Sequence, residues 1–143
     1  MAVTSGFLDR RSVQAGLVFL GGCLGTLMRD GIAHAWPTSA NGMPWATLAT
    51  NLVGAFVLAA LLEILAVAGP DVGIRRAVRL CFGTGMMGGF TTYSTLAVET
   101  GQRAMSGQWL AAVSYLLGSV TMGALLAWVM ISTVRAAVRR RSS

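Results

Sequence analysis

Charge is absent from four long stretches of this 143-residue chain: none falls between Arg11 and Arg29, between Asp30 and Glu63, between Arg79 and Glu99, or between Arg103 and Arg135. The gaps are 17, 32, 19 and 31 residues long. A helix needs about 20 largely apolar residues to cross the hydrocarbon of a bilayer. Each gap therefore supplies one span, and the two longer ones also hold a turn. Only 11% of the residues are charged and 55% are hydrophobic, whereas a soluble domain carries about a quarter charged residues to cover its wet surface. The chain reads as an all-α integral membrane protein of four transmembrane helices in one domain, 1–143.

Turn residues place the ends. The first helix is predicted over 12–35, and Pro37, Thr38, Ser39, Asn41, Gly42 and Pro44 mark the loop after it. The second is predicted over 45–67, closed by Gly69-Pro70-Asp71. The third covers 74–104 with a break near 88–92, where glycines crowd its middle. Ser106-Gly107 makes a tight turn, the fourth runs over 108–134, and 135–143 is a basic cytoplasmic tail. Arg10 and Arg11 before an apolar run ending Leu20-Gly21-Gly22-Cys23 imitate a cleaved leader, but the run continues to Met28 and reads as the first helix. Four helices of this size are too thin a bundle to enclose a pore alone, and symmetric dimers are the commonest assembly.

The positive charge is all arginine, eleven residues and no lysine. The arginines flank apolar segments instead of forming a patch interleaved with aromatics, which argues against nucleic acid. With an even number of spans, Arg10, Arg11, Arg75, Arg76, Arg79, Arg135, Arg139, Arg140 and Arg141 share one side, and Arg29 and Arg103 lie on the other. Nine against two predicts both termini in the cytoplasm of a multi-pass inner (plasma) membrane protein. Cys23 and Cys81 sit in apolar runs and read as small buried hydrophobes. One histidine, two separated cysteines and five scattered acids make no hydrolytic constellation or zinc site, so no enzyme is expected. Gly83-Thr84-Gly85-Met86-Met87-Gly88 has the spacing of a dinucleotide fingerprint without its βαβ context.

Polar groups within hydrocarbon are costly and are functional candidates by default. The densest cluster is Gly88-Gly89-Phe90-Thr91-Thr92-Tyr93-Ser94-Thr95-Leu96. Two glycines and four hydroxyl residues make a poor continuous helix. The segment either breaks, freeing main-chain groups to hold ions, or kinks with its hydroxyls bonded back to the preceding turn. Asn51, with Thr47 one turn earlier, either donates to an anion or ties two helices together. Tyr115 and Ser119 share a face of the fourth helix. Arg29 and Glu99 lie near span ends, where they snorkel, line a vestibule or pair. The pairs Gly21-x-x-x-Gly25 and Gly85-x-x-x-Gly89 suit close helix packing.

Four blocks together resemble the small fluoride channels of the CrcB (Fluc) family. They are Gly21-Gly22-x-x-Gly25-x-x-x-Arg29; Thr47-Leu48-x-x-Asn51-Leu52-x-Gly54-Ala55-Phe56; Gly88-Gly89-Phe90-Thr91-Thr92-Tyr93-Ser94-Thr95-Leu96-x-x-Glu99; and Gly118-Ser119. The resemblance covers almost the whole chain, and the third block is its most specific part. It implies an antiparallel, dual-topology dimer with two fluoride pathways and a structural sodium ion (Na+) held by main-chain carbonyls, here those of Gly88 and Thr91. Asn51 matches the family's pore asparagine, and Tyr93 and Leu96 stand where the family has two phenylalanines whose ring edges line the path. The implied pathway set is Asn51, Tyr93, Leu96, Ser94, Thr95, Thr47, Tyr115 and Ser119, with Arg29 and Glu99 as vestibule or structural residues.

Two features depart from the family pattern. Tyrosine keeps an electropositive ring edge and adds a hydroxyl donor, but Leu96 has no such edge. The arginine bias favours one orientation, which fits pairing with an oppositely oriented homologue as well as a homodimer. Passive, selective fluoride export is the expected function. The competing expectations are a small drug–proton antiporter, with Glu63 or Glu99 as its membrane carboxylate, and a non-conducting partner subunit of a heterodimeric channel.

Overall fold

The computed structural model describes residues 7, 8, 10–38 and 42–141; the expected loop markers Ser39 and Asn41 lie outside these. Helix α1 covers Arg11–Ala35. Helix α2, Trp45–Ala68, starts behind a fully buried Pro44 and stops at Gly69, whose φ of 128° other residues rarely adopt. Helix α3, Gly73–Val78, passes into a π-helical stretch, π1, Arg79–Met87. A single helical turn, α4, Gly88–Phe90, precedes α5, Tyr93–Met105. Gly107, with φ 79°, turns the chain into α6, Trp109–Arg141.

Glycine decides how closely α1 and π1 approach. The two run side by side in the same direction. A Cβ on Gly21 would strike the Cys81 carbonyl oxygen and stand 2.9 Å from the Met86 nitrogen. One on Gly25 would strike the Met86 carbonyl oxygen and stand 2.8 Å from the Phe90 nitrogen. In return, a Cβ on Gly89 would strike the Gly22 carbonyl oxygen. The two small-residue pairs noted in the sequence therefore interlock with each other. Main chain lies against main chain, which is how helices associate where lipid offers no hydrophobic drive. A π-helix of this length is unusual.

Helix α2 runs antiparallel to the third segment, 73–105, along most of its length. A Cβ on Gly83 would lie 3.6 Å from Leu58, Gly54 abuts Thr91, Asn51 meets Thr92, and Thr47 meets Glu99. Helices α2 and α6 are parallel neighbours. Gly123 lies beside Leu52 and Ala55, and near one end Arg135 forks onto Glu63, with Nε 2.8 Å from Oε1 and Nη2 3.3 Å from Oε2. Near the turn between α2 and α3, Asp71 receives Arg79 Nε at 3.0 Å and Nη2 at 2.7 Å. The hydrogen bond from Arg79 holds the Asp71 carboxyl below the usual carboxylate range.

Large apolar side chains point outward, among them Phe19, Leu27, Leu110 and Leu125, while the buried residues are mostly small or polar. That inversion suits a lipid surround. Helices α1, α2 and α6 are each long and apolar enough to cross a membrane. All four tryptophans are exposed. Trp36, Trp45 and Trp109 lie at helix ends that share one side of the bundle, and Trp128 lies towards the other. At 1.5 Å per residue, Trp109 and Trp128 stand roughly 29 Å apart along α6, close to the ~30 Å hydrocarbon core that aromatic belts bracket.

Two sequence expectations need correction. The fourth helix does not stop near Val134: α6 continues to Arg141, so 135–141 is helix instead of a separate tail. Alanine and arginine favour helix, and the Arg135–Glu63 fork fastens the extension to α2. Cys23 is exposed, not buried, because α1 turns Gly21 and Gly25 towards π1; Cys81 is half-buried, and both thiols are free.

Candidate functional site

Helical backbone stops at Phe90 and resumes at Tyr93, with Thr91 (φ −83°, ψ 157°) and Thr92 (φ −147°, ψ 114°) extended between. The interruption falls one turn beyond the glycine pair. Gly88 and Gly89 are themselves helical, since Gly89 is needed for contact with α1. Two threonines supply local means to leave and re-enter the helix. Thr91 Oγ1 donates back to the Met87 carbonyl at 2.9 Å. Thr92 caps α5, its Oγ1 accepting from the Thr95 amide at 3.1 Å.

Asn51 completes the arrangement from α2. Its Oδ1 accepts from the Thr92 amide at 2.7 Å and its Nδ2 donates to the Thr92 carbonyl at 3.1 Å. The side-chain amide thus pairs with one main-chain residue much as a neighbouring strand would. Of the two roles open to Asn51 in the sequence, the tie between helices is present here, and one N–H of Nδ2 remains beyond it. The amide of Thr92 would close a helical bond on the Gly88 carbonyl but is turned to Asn51. The amide of Thr95 would close one on the Thr91 carbonyl but goes to Thr92 Oγ1. Both carbonyls are left without their helical donors.

A second polar group sits two turns away. Glu99 accepts Thr47 Oγ1 on Oε1 at 2.8 Å and the Tyr115 hydroxyl on Oε2 at 2.6 Å. Tyr115 and Thr47 are buried, and Ser119, also buried, bonds back to the Tyr115 carbonyl at 2.6 Å. Arg103 places its guanidinium carbon 5.8 Å from the centre of the Tyr115 ring and donates from Nη2 to the Gly42 carbonyl.

Two hollows flank the interruption. A groove of about 590 Å³ runs between α2 and α6, with Asn51, Gly54, Thr91, Thr92, Tyr93, Leu96 and Ser119 among its lining residues. A hollow of about 240 Å³ is lined by Arg29, Asp30, Ala33, Ala46, Thr47, Thr50, Thr92 and Thr95. Thr92 lines both. The expected residues therefore divide: Asn51, Tyr93, Leu96 and Ser119 face the groove, while Thr47, Thr95 and Arg29 face the smaller hollow. Ser94 is exposed, its Oγ 3.2 Å from Thr92 Oγ1. Leu96 is only 4% exposed, whereas Tyr93 is 77% exposed, its ring on a face this chain does not cover. Sequence reasoning omitted Thr50, Thr92 and Arg103 from the site. Their signals were present: Thr50 lies three residues from Thr47, Thr92 lies inside the hydroxyl cluster, and Arg103 lies four from Glu99. Among the described residues no group of three or more histidine, cysteine or acidic side chains could hold a metal. Main-chain and hydroxyl oxygens are the donors available.

Long apolar helices, outward-facing tryptophans and an interrupted segment lined with amide and hydroxyl groups define a polytopic helical membrane protein with a polar interior. Residues 16–131 match the family described as CrcB-like protein, Camphor Resistance (CrcB). The chain is 71% identical to the fluoride-specific ion channel FluC 1 of Cutibacterium acnes over 143 residues, which is all of both chains. It is 46% identical over 108 residues to the fluoride-specific ion channel FluC 2 of Leifsonia xyli, covering 76% of this chain and 74% of that one. With the fluoride-specific ion channel FluC of Thermus thermophilus it shares 39% identity over 115 residues, covering 79% and 87%. The chain belongs to the CrcB family.

Proposed function

We propose that this protein is a fluoride-selective ion channel that lowers cytoplasmic fluoride by passive export. The observation that carries this reading is a donor-lined interruption in a chain that matches a fluoride-specific ion channel along its whole length. Hydrogen fluoride enters cells neutral and ionises inside, so the anion leaves down its own gradient. Fluoride gives up a tight hydration shell only for strong, close donors. The second N–H of Asn51 and the hydroxyl of Thr95 are such donors, and the electropositive ring edge of Tyr93 adds to them. The Ser94 and Ser119 hydroxyls are turned to Thr92 Oγ1 and to the Tyr115 carbonyl, so an arriving anion competes for their protons. The hydroxyls of Thr47 and Tyr115 donate to Glu99, so an arriving anion competes with that carboxylate for their protons. Arg29 draws anions to the smaller hollow.

The segment 73–105 acts as the remaining span, third in chain order. It lies antiparallel to α2 along most of its length, and the Asn51–Thr92 pair stands level with Ser119, near the midpoint of the Trp109 to Trp128 stretch. This level supports an interruption near mid-membrane, where unpaired main-chain groups are tolerated only against protein or water. The Gly88 and Thr91 carbonyls, both without helical donors, fit a hard monovalent cation. These two carbonyls would hold a structural sodium ion, which would supply a fixed positive charge at a subunit contact. The exposed Tyr93 and the open groove suit an antiparallel partner, with two pathways in a dimer. Nine arginines against two favour a fixed orientation with both termini cytoplasmic in the inner membrane, and hence an oppositely oriented homologue as partner. Efflux from reconstituted liposomes, read with a fluoride electrode against chloride as control, tests the whole reading. Fluoride efflux without chloride efflux is the expected result, and none from the chain alone or with a paired homologue overturns it.

A further inference from the structure

Glu99 and Arg103 stand four residues apart on α5 with the acid first, the order in which such pairs normally join on a helix. They do not join here. Glu99 spends both oxygens on the hydroxyls of Thr47 and Tyr115, and Arg103 forms no ion pair with it among the described residues. Its guanidinium turns instead to the Gly42 carbonyl and the face of Tyr115. Both destinations lead back to Glu99. Gly42 lies two residues before Pro44, the buried residue from which α2 starts, and Thr47 is in the first turn of that helix. Tyr115 carries the other hydroxyl. One guanidinium therefore fastens both arms that converge on the carboxylate, and closes a ring from Arg103 through Gly42, Thr47, Glu99 and Tyr115.

We propose that Arg103 is a positioning residue for fluoride passage, which keeps the Thr47 and Tyr115 hydroxyls at the depth and angle at which an anion competes for them. The proposal rests on the channel reading above. Lysine would keep the charge at this position but lose the planar fork that reaches a carbonyl and a ring together.

The test has two arms. In the first, liposome fluoride efflux is measured for the unaltered chain, Arg103→Lys and Arg103→Gln, each in the dimeric form in which it conducts. Losing a cation–π contact and a charged hydrogen bond together is expected to cost Arg103→Gln about tenfold in rate, and Arg103→Lys less. Elution volume and melting temperature stay unchanged. In the second arm, Tyr93→Phe leaves Tyr115 as the one tyrosine, since the chain has two. Labelling with 3-fluorotyrosine then gives a single fluorine resonance whose shape is independent of flux. Arg103→Gln is expected to broaden or split it. Full efflux in Arg103→Gln, an unchanged resonance, or an efflux loss matched by a fall in melting temperature would each overturn the proposal. Absence of efflux from the unaltered chain would instead count against the channel reading, while the resonance still reports on Arg103.

Discussion

Replacing Asn51 by aspartate removes one proton-bearing group and leaves the shape nearly unchanged. Asn51→Asp keeps an oxygen for the Thr92 amide at its present 2.7 Å but puts a second oxygen where Nδ2 now donates to the Thr92 carbonyl at 3.1 Å. The lost hydrogen bond costs about 1 kcal/mol, and leaving a part-buried carbonyl against another acceptor costs about 1–3 kcal/mol more. The sum, about 2–4 kcal/mol, corresponds to roughly a 30- to 700-fold shift away from the native break. The new negative charge also opposes an anion in the groove. Efflux at pH 7.5 is therefore expected to fall at least by that factor. The direction with pH follows from the same contact. A protonated acid donates to the Thr92 carbonyl where Nδ2 did, so the damage is relieved as falling pH protonates the substituted carboxyl. Efflux should recover in part at pH 5, measured against protein-free liposomes to subtract permeation of hydrogen fluoride. Unchanged efflux at pH 7.5 would refute both the role of Asn51 and the account of the break.

Gly25→Ala should separate α1 from π1, since the added methyl meets main-chain atoms of Met86 and Phe90 that cannot step aside; a loss near or above the top of the usual ~1–3 kcal/mol for overpacking should lower the melting temperature in detergent, while Gly31→Ala, with open space around it, should leave it unchanged. Tyr93→Phe keeps the ring edge and should conduct within about threefold of the unaltered chain, whereas Tyr93→Ala should lose about tenfold or more in liposome efflux. The carboxyl of Asp71 titrates below its ordinary value because of Arg79, so its support for the turn is present above about pH 4 and lost as pH falls through the lowered value. Amide exchange protection across 72–79 should be the same at pH 8 and pH 5 and drop only below the ordinary carboxylate range, and Asp71→Asn should show the low-pH behaviour at pH 7.

The candidates for the site were legible in the sequence because membranes penalise polar residues wherever they have no function. Asn51, Thr47, Glu99, Tyr115 and Ser119 stood out against apolar neighbours; Thr47, Glu99 and Tyr115 form one hydrogen-bonded group, while Asn51 pairs with Thr92 two turns away. The expected interval for the break, 88–92, contains the non-helical Thr91 and Thr92, but where within it the helix ends was not legible. Glycine's low helix propensity pointed at 88 and 89, yet those residues stay helical, since a small residue at Gly89 is what lets α1 approach. The chain leaves the helix at Thr91 and Thr92, where Asn51, 41 residues away, takes over the main-chain bonds. The exposure of Cys23 and the persistence of α6 to Arg141 were hidden for a related reason, since composition does not say which face of a helix meets its neighbour or what its last turn is fastened to.

Charge-free stretches and their lengths settled that this is a helical membrane chain, because a bilayer excludes charge and dictates the length of a helix that crosses it. Which donors face which hollow, which carbonyls lose their amides, and where Arg103 turns were decided only by tertiary packing. Those outcomes depend on contacts between helices remote in sequence, and hydrogen bonds form only where packing brings donor and acceptor within about 3 Å.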